Sequence, residues 1–315
     1  MIAVHLALFF VSLVFGVNAV TSKYAMREIH PMALVFIRIV SAAAILYIIQ
    51  RLWIKEKIQT RRDYFLLAGD SIVGIAINQV LFLKGLALTT AINATVLITT
   101  MPAATIGIAI LLRKEPPSFR KIIGSMISFS GVILLLGSER IDFSNDYFVG
   151  NLLVFLNGIS YSFYLVISRD LLKRYHPSTV TTWIFVFGAV GVFPFGIGEI
   201  SRLDWASVSL TAWACVAFLI IFSSVIVYFI NNWALRKTSS SVVAVYIYVQ
   251  PIVAALISTQ MMGETLRMET VIAALLIFGG VFIVTLKMRE EMKKEKSNAN
   301  KEIDLVKESM IMKED

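Results

Sequence analysis

The sequence predicts an all-α integral membrane protein in which ten transmembrane helices form a 5+5 inverted-topology repeat. Hydrophobic residues make up 57% of the 315-residue chain and charged residues only 16%, whereas about a quarter of a soluble domain is charged. Ten apolar segments follow one another, and the second five repeat landmarks of the first five. Because five is odd, the second copy must enter the membrane from the opposite side, so the two copies are inverted.

The ten segments are apolar runs separated by short polar connections. A membrane-spanning helix needs about 17–25 such residues, and the runs are too long and continuous for a transmembrane barrel. The first segment lacks the basic start and the cleavage site of a signal peptide, so we expect it to be retained. The fifth is short, and Ser and Gln weaken the ninth. The predicted spans are residues 3–22, 32–50, 64–84, 91–112, 121–137, 148–168, 179–198, 209–230, 239–260 and 268–286.

The two halves of the chain carry the same landmarks in the same order. A His-Pro pair recurs at an interval of 146 positions, and a Pro, a Glu and a Gly recur at an interval of 149. We therefore predict a first repeat over residues 1–140, a second over 147–286 and a charged cytoplasmic tail over 287–315. The paired landmarks are His30-Pro31 with His176-Pro177, Pro102 with Pro251, Glu115 with Glu264, and Gly131 with Gly280.

The net charge of +8 reflects membrane orientation and not nucleic-acid binding. With the N-terminus in the cytoplasm, the loops after segments two, four, six and eight hold 5, 4, 3 and 2 Lys/Arg residues, and the tail holds 8. The opposite loops hold 5 in total. Because Lys and Arg accumulate in cytoplasmic loops, we expect a multi-pass protein of the cell membrane, plasma or inner, with both termini cytoplasmic and the lipid bilayer as its partner.

Three helices of the first repeat bring polar side chains to one level of the membrane. At a rise of about 1.5 Å per residue, Asn18, Asn78 and Gln79 lie about 21–22 Å from the inner boundary, and Arg38 lies at roughly the same height. In one interpretation these residues bind or gate a substrate whose anionic group faces Arg38. In the other they form an interhelical hydrogen-bond network that satisfies the buried charge and locks the first repeat.

Asp70 is the acidic residue placed well inside a predicted segment, about 9 Å above the inner boundary. A direct pair with Arg38 is not expected, since that residue lies about 12 Å higher. A buried carboxyl group can carry a proton, which makes protons a candidate coupling ion. Alternatively, the side chain reaches interfacial water and the basic residues Arg61 and Arg62.

A second group of polar residues lies near the middle of the membrane, where transporters with inverted repeats hold their substrates. Mid-segment prolines free a backbone carbonyl, which is tolerated where the backbone lines a cavity. The alternative is ordinary packing, with Tyr hydroxyls bonded to neighbouring carbonyls. Besides Asn18 and Asn78, the substrate-pathway candidates are Asn157, Tyr161, Tyr164, Tyr246, Gln250 and Thr99, and the structural candidates are Pro102 and Pro251.

Glu115 and Glu264 each precede the last helix of their repeat. A carboxylate there favours the free N–H groups of a helix start, so we expect structural capping before substrate contact. Three scattered His residues and one Cys argue against a metal site. Hydrolase, metalloprotease and nucleotide-loop motifs do not occur in the sequence. We therefore expect no enzymatic activity and no cofactor.

Together these residues resemble the EamA-type carriers of the drug/metabolite transporter superfamily. The resemblance covers residues 1–286, although Lys114-Glu115 stands where Gly-Glu is expected. It implies a 5+5 inverted bundle, cytoplasmic termini, and alternating access around a central cavity. It also implies export or exchange of amino acids, other metabolites or toxic compounds. The residues that carry it are Arg38, Met101-Pro102, Gln250-Pro251, Glu115, Glu264, Gly131-Val132 and Gly279-Gly280-Val281.

The function we expect is secondary-active or facilitative export of small metabolites, first of all amino acids or related compounds. A nucleotide-sugar or sugar-conjugate carrier would share the mechanism but would need several Lys or Arg residues around its cavity, and Arg38 is the one available. A membrane-embedded transferase would need an acid–base or metal cluster near one interface, whereas these loops are short and poor in His and Asp.

Overall fold

A computed structural model describes residues 2–114, 117, 119–137, 145–238, 240–280 and 282–283. Within these ranges the secondary structure is helical, and there is no β-strand. Glu115 and the predicted tail over 287–315 lie outside the described residues. The helices are α1 (Ile2–Ala25), α2 (Pro31–Ile54), α3 (Arg61–Leu88), α4 (Ala91–Leu111), α5 (Phe119–Gly137), α6 (Asp146–Leu172), α7 (Pro177–Arg202), α8 (Leu210–Lys237), α9 (Val242–Met262) and α10 (Met268–Gly280).

Eight of these helices, α1–α4 and α6–α9, are long and apolar enough to cross a membrane, with 21 to 28 residues each. Even the shortest covers about 30 Å, the thickness of the hydrocarbon core. In the described part of the chain, α5 and α10 contribute the shorter apolar stretches Ile122–Leu134 and Met268–Gly280. The all-helical membrane architecture is therefore confirmed for eight spans, and the count of ten stays a prediction.

The exterior of the bundle is apolar, and polar side chains are collected inside it. Large hydrophobic residues such as Phe65, Leu111 and Val190 are 70–79% exposed. Conversely, Arg38 and Asp70 are at most 2% exposed. This is the inverse of a soluble protein and suits a bundle whose outer surface faces lipid tails.

Helices in equivalent positions of the two halves share irregular turns. A wide π-helical stretch occupies Ile72–Ile77 in α3 and Leu219–Ile226 in α8. In addition, α4 is broken at Thr99 and Thr100, and α9 tightens into a 3₁₀ turn over Tyr246–Tyr248. Such turns inside helices often mark functional positions.

The break in α4 follows from Pro102, whose ring nitrogen cannot donate to the preceding turn. The helix stops at Ile98 and starts again at Met101. The hydroxyls of Thr99 and Thr100 bond the carbonyl oxygens of Val96 (2.5 Å) and Leu97 (2.8 Å). The same two carbonyl oxygens also accept from the backbone N–H groups of Thr99 (3.0 Å) and Thr100 (3.1 Å), so backbone and side chains together close the turn at the break.

The two His-Pro pairs start helices in the same way. The ring nitrogen Nδ1 of His30 accepts from the N–H of Met32 (3.3 Å), and Nδ1 of His176 accepts from the N–H of Ser178 (3.2 Å). The proline that follows each histidine occupies the first turn, where its missing N–H leaves no gap. The two landmarks therefore have the same structural role in α2 and α7.

Helices α5 and α10 cross through a reciprocal pair of close contacts. A Cβ atom added to Gly131 would lie 2.7 Å from the carbonyl oxygen of Ala273, and one added to Gly280 would collide with backbone atoms of Gly124 and Ser128. The contacted residues are themselves 149 positions apart, like the two glycines. Contacts in which i meets j and j meets i are typical of a two-fold axis between like elements.

Contacts at both ends of α1 define the two faces of the bundle. At its start, His5 Nδ1 lies 2.5 Å from the Tyr246 hydroxyl in α9, and at its end Lys23 Nζ lies 3.2 Å from Glu264 Oε1, just after α9. The helices α1 and α9 therefore run in the same direction. We call the end of the bundle with His5 the N-terminal face and the end with Lys23 the opposite face.

Candidate functional site

Seven helices, α1–α4, α6, α8 and α9, line a cavity inside the bundle. Of the predicted pathway residues, Asn18, Asn78, Asn157, Tyr161 and Gln250 line it, as does Arg38. A narrow extension along α1 continues toward the N-terminal face and is lined in part by Tyr246. Thr99, Tyr164, Pro102 and Pro251 are buried but are not lining residues.

Equivalent positions of the two halves face each other across this cavity. The clearest pair is Gln79 and Tyr228, which are 149 positions apart, and Gln79 Nε2 donates to the Tyr228 hydroxyl at 3.1 Å. Direct contact between equivalent residues is expected where a two-fold axis passes between like elements. The other lining pairs are Phe15 with Tyr161, Ile98 with Ile247, and Met101 with Gln250.

Arg38 brings an isolated positive charge to the cavity wall. Its Nε donates to the Ser224 hydroxyl at 2.7 Å, while Nη1 is buried and has no partner in the described structure. Ser224 lies in the π-helical stretch of α8, and its hydroxyl donates in turn to the Leu219 carbonyl (3.0 Å). Ile184 stands 146 positions after Arg38, so the second half has no matching charge. A buried cation without an anion is destabilising unless another group compensates it.

Asn78 and Asn157 bond each other's backbone. Asn78 Nδ2 donates to the Asn157 carbonyl oxygen (3.2 Å), and Asn157 Nδ2 donates to the Asn78 carbonyl oxygen (2.9 Å). The pair therefore fastens α3 to α6 while lining the cavity. By contrast, Gln79 Oε1 and Asn18 Oδ1 are buried acceptors for which the described residues supply no donor.

The tyrosines of α6 belong to a polar cluster that the sequence analysis recognised only in part. Tyr161 accepts from Asn231 Nδ2 (2.9 Å), and Tyr164 donates to Asn232 Oδ1 (2.7 Å). The Tyr228 ring lies 6.1 Å from both tyrosine rings. The sequence analysis missed Tyr228, Asn231 and Asn232, although the interval of 149 from Gln79 would have identified Tyr228.

Asp70 is buried between α3 and α6, apart from the cavity lining. The Ser168 hydroxyl donates to its Oδ2, and its Oδ1 has no partner among the described residues. The carboxylate is 2% exposed, so it is bonded inside the bundle and not to interfacial water. Among the described residues, Asp70 and Arg38 form no ion pair with each other, as expected from their different depths in the membrane.

Glu264 closes the opposite face between α1, α4 and α9. Its two carboxylate oxygens accept from the N–H groups of Ala91 (2.9 Å) and Ile92 (3.2 Å), so it caps α4 and not the helix that follows it. It also pairs with Lys23, whose ammonium group donates to the Thr89 carbonyl oxygen. Beside this closure lies an open vestibule, lined by residues that include Lys23, Arg27, Asn93, Tyr147, Glu264 and Arg267.

The N-terminal face is closed by bonds between the loops that follow α2 and α6. Asp63, at the start of α3, accepts from Arg174 Nη1 and from the Tyr175 hydroxyl, both at 2.6 Å. Glu56 accepts from the N–H of His176 at 2.9 Å. On the opposite face, Glu28 makes the corresponding link to the loop before α8. The bonds of one face join the loops after α1 and α7, and those of the other face join the loops after α6 and α2, which occupy the equivalent positions in the opposite halves.

The link at the opposite face holds a carboxylate in its charged form. Glu28 accepts from the N–H (2.6 Å) and the hydroxyl (2.8 Å) of Ser209. These bonds, the backbone bond first, hold the pKa of Glu28 below its ordinary value. Within the described residues, His, Cys, Asp and Glu side chains form no group of three that could hold a metal ion.

Comparison with known proteins places the chain among transporters. The model of the EamA-like transporter family matches twice, over residues 2–137 and 148–286. An uncharacterized transporter of Archaeoglobus fulgidus is 26% identical over 293 residues, which are 91% of this chain and 98% of that protein. The uncharacterized transporter YyaM of Bacillus subtilis is 25% identical over 283 residues, 88% and 92% of the two chains.

More distant similarity extends to plants and to a solved structure. The WAT1-related protein At3g18200 of Arabidopsis thaliana is 23% identical over 256 residues, which cover 73% of this chain and 66% of that protein. A crystal structure superimposes with a TM-score of 0.66 at 17% identity, covering 91% of this chain and 97% of that chain, which shows a shared fold. With the family model matched in both halves of a multi-pass helical bundle, the chain belongs to the EamA-like transporter family.

Proposed function

We propose that the protein is a secondary transporter that exports small metabolites, amino acids or related compounds, from the cell by alternating access. The observation that carries this proposal is the central cavity, whose wall is built from equivalent positions of both halves and includes the Gln79–Tyr228 contact. A site on such an axis can face either side when the two halves exchange conformations. The proposal includes a 5+5 inverted bundle in the cell membrane with cytoplasmic termini.

The closures at the two faces support alternating access. Glu28 with Ser209 on one face, and Glu56 with His176 on the other, join equivalent pairs of loops. Both closures also include ion pairs that reach the helices, Asp63 with Arg174 on the N-terminal face and Glu264 with Lys23 on the opposite face. Opening one while the other stays closed would expose the cavity to one compartment at a time.

The lining of the cavity supports a small cargo of low charge. Arg38 is the one Lys or Arg residue among its lining side chains in the described structure. A nucleotide sugar carries two phosphate charges, for which one cation is a poor match, so the cavity disfavours that alternative. Protons are the proposed coupling ion, with Asp70 as the carrier, because its carboxyl group is buried and only partly bonded.

Transport by purified protein in liposomes tests this function. We expect labelled apolar amino acids to exchange against the same amino acid trapped inside, and a pH gradient to drive net accumulation. Asp70→Asn should still exchange amino acids, but its gradient-driven accumulation should fall at least tenfold. The control Asp204→Asn, in an exposed loop, should retain both activities. If folded wild-type protein exchanges no amino acid or related metabolite, the proposed function is wrong.

A further inference from the structure

The cavity wall carries three buried polar atoms for which the described structure supplies no partner. They are Arg38 Nη1, Gln79 Oε1 and Asn18 Oδ1, on residues that are at most 5% exposed. Buried polar groups are normally hydrogen-bonded, so each group of this kind calls for an explanation. All three residues line the same cavity, which suggests a common explanation in the form of a ligand.

The Arg38 guanidinium is held in a fixed position with one side free. Its Nε bond to Ser224 sets the plane of the group, and Ser224 is itself fixed by its bond to Leu219. The free side presents parallel N–H donors, a geometry that matches a carboxylate. In the described residues, no carboxylate lies within ion-pair distance of this cation, so the position of the counter-anion is open to a ligand.

Gln79 and Asn18 supply the complementary acceptors. The amide nitrogen of Gln79 donates to the Tyr228 hydroxyl, which leaves Oε1 as a free acceptor in the cavity that Arg38 also lines. Amide oxygens can accept hydrogen bonds from an ammonium group without adding a negative charge to the cavity. Half of the other lining residues are apolar, among them Phe15, Phe82 and Ile247.

We infer that Arg38 anchors the carboxylate of the substrate, and that Gln79 and Asn18 accept hydrogen bonds from an ammonium group on the same molecule, while an apolar side chain fills the rest of the cavity. The inference rests on the proposed function and specifies its site. It excludes organic cations, amines and amides as preferred substrates, because each of them would leave the guanidinium unpaired.

Four related probes separate recognition of the carboxylate from recognition of the ammonium group. Leucine carries both charged groups, leucinamide lacks the carboxylate, 4-methyl-2-oxopentanoate lacks the ammonium group, and isoamylamine lacks the carboxylate and keeps the amine. We expect thermal stabilisation of the full-length protein in detergent to give at least tenfold tighter apparent binding of leucine than of the other three. If leucinamide or isoamylamine binds as tightly as leucine, the assignment of Arg38 is wrong even where transport is observed.

Variants assign each group of the substrate to its residue. Arg38→Gln should weaken the binding of leucine and of the oxo acid at least tenfold and leave the binding of leucinamide unchanged. Gln79→Leu should instead weaken the binding of leucine and leucinamide and leave that of the oxo acid unchanged. Arg202→Gln makes the same change at an exposed position, with a side chain that is 78% exposed, and should bind like the wild type.

Equal weakening of all four probes by Arg38→Gln would indicate a purely structural role and overturn the inference. If that variant does not fold, the Gln79→Leu pattern and the wild-type ranking of the probes decide the question. Stabilisation by none of the probes, together with no transport, would refute both this inference and the proposed function. Transport of a solute without a carboxylate would refute the inference alone.

Discussion

The reciprocal glycine contacts between α5 and α10 allow a quantitative test of the packing. In Gly131→Ala, the new methyl group would lie 2.7 Å from the Ala273 carbonyl oxygen and 2.8 Å from Ile277 Cγ1. Ordinary contacts begin near 3.4 Å, so the two helices must separate. Overpacking of this kind destabilises proteins by about 1–3 kcal/mol. Gly280→Ala places its methyl group against the equivalent carbonyl oxygen, that of Gly124, and against Ser128, so it should have the same effect.

Gly107→Ala is the matched control, because a Cβ atom at Gly107 meets nothing within 4 Å. All three glycines lie in helices, and replacing Gly by Ala in a helix stabilises it by up to about 1 kcal/mol. That contribution is common to the variants, so the difference in stability between Gly131→Ala and Gly107→Ala isolates the overpacking.

Thermal unfolding in detergent, followed by loss of the monodisperse peak on size exclusion, measures this difference. At about 2 °C per kcal/mol for a large chain, Gly131→Ala and Gly280→Ala should melt roughly 2–6 °C below Gly107→Ala. If all three variants melt together, the close crossing of α5 and α10 is wrong. If only one of Gly131→Ala and Gly280→Ala is destabilised, the contact is not reciprocal.

Two further predictions concern hydrogen bonds on the cavity wall and at the opposite face. Asn157→Leu should lower the free energy of unfolding by about 1 kcal/mol through loss of its bond to the Asn78 carbonyl, and unchanged denaturant unfolding would contradict this role. The lowered pKa of Glu28 means that its bonds to Ser209 stabilise the fold above the ordinary carboxyl pKa and are lost as pH falls through the folded-state value. The melting temperature of wild type relative to Glu28→Gln should therefore fall as the solution is acidified, and a constant difference would show that the link does not contribute.

The sequence was sufficient to predict the membrane helices because their signal is local. Apolar runs and the duplicated landmarks identified α1–α4 and α6–α9, although α3 and α8 are each 28 residues long and exceed their predicted spans. Helix length was underestimated where charged residues such as Arg61 and Lys237 sit at helix ends, since their polarity resembles that of a loop.

The cavity could be predicted only in part because depth along a helix says nothing about the direction of a side chain. The rise per residue placed Asn18, Arg38 and Gln79 at one level, and the structure places all three around one cavity. The same calculation could not reveal that Asn78 and Asn157 bond each other, which depends on how α3 rotates against α6. Tyr228 was missed because the interval of 149 was not applied to Gln79.

If Arg38 holds the substrate carboxylate as inferred, the apolar Ile184 at the equivalent position makes the two ends of the binding site unlike. A site built from two identical halves would bind the substrate in two equivalent orientations, and the substrate could reverse its orientation between binding and release. Here the charged end can be held by the N-terminal half alone. The charged groups of a bound substrate would therefore keep the same contacts through the cycle. Only the surroundings of its apolar side chain would change as the two halves move.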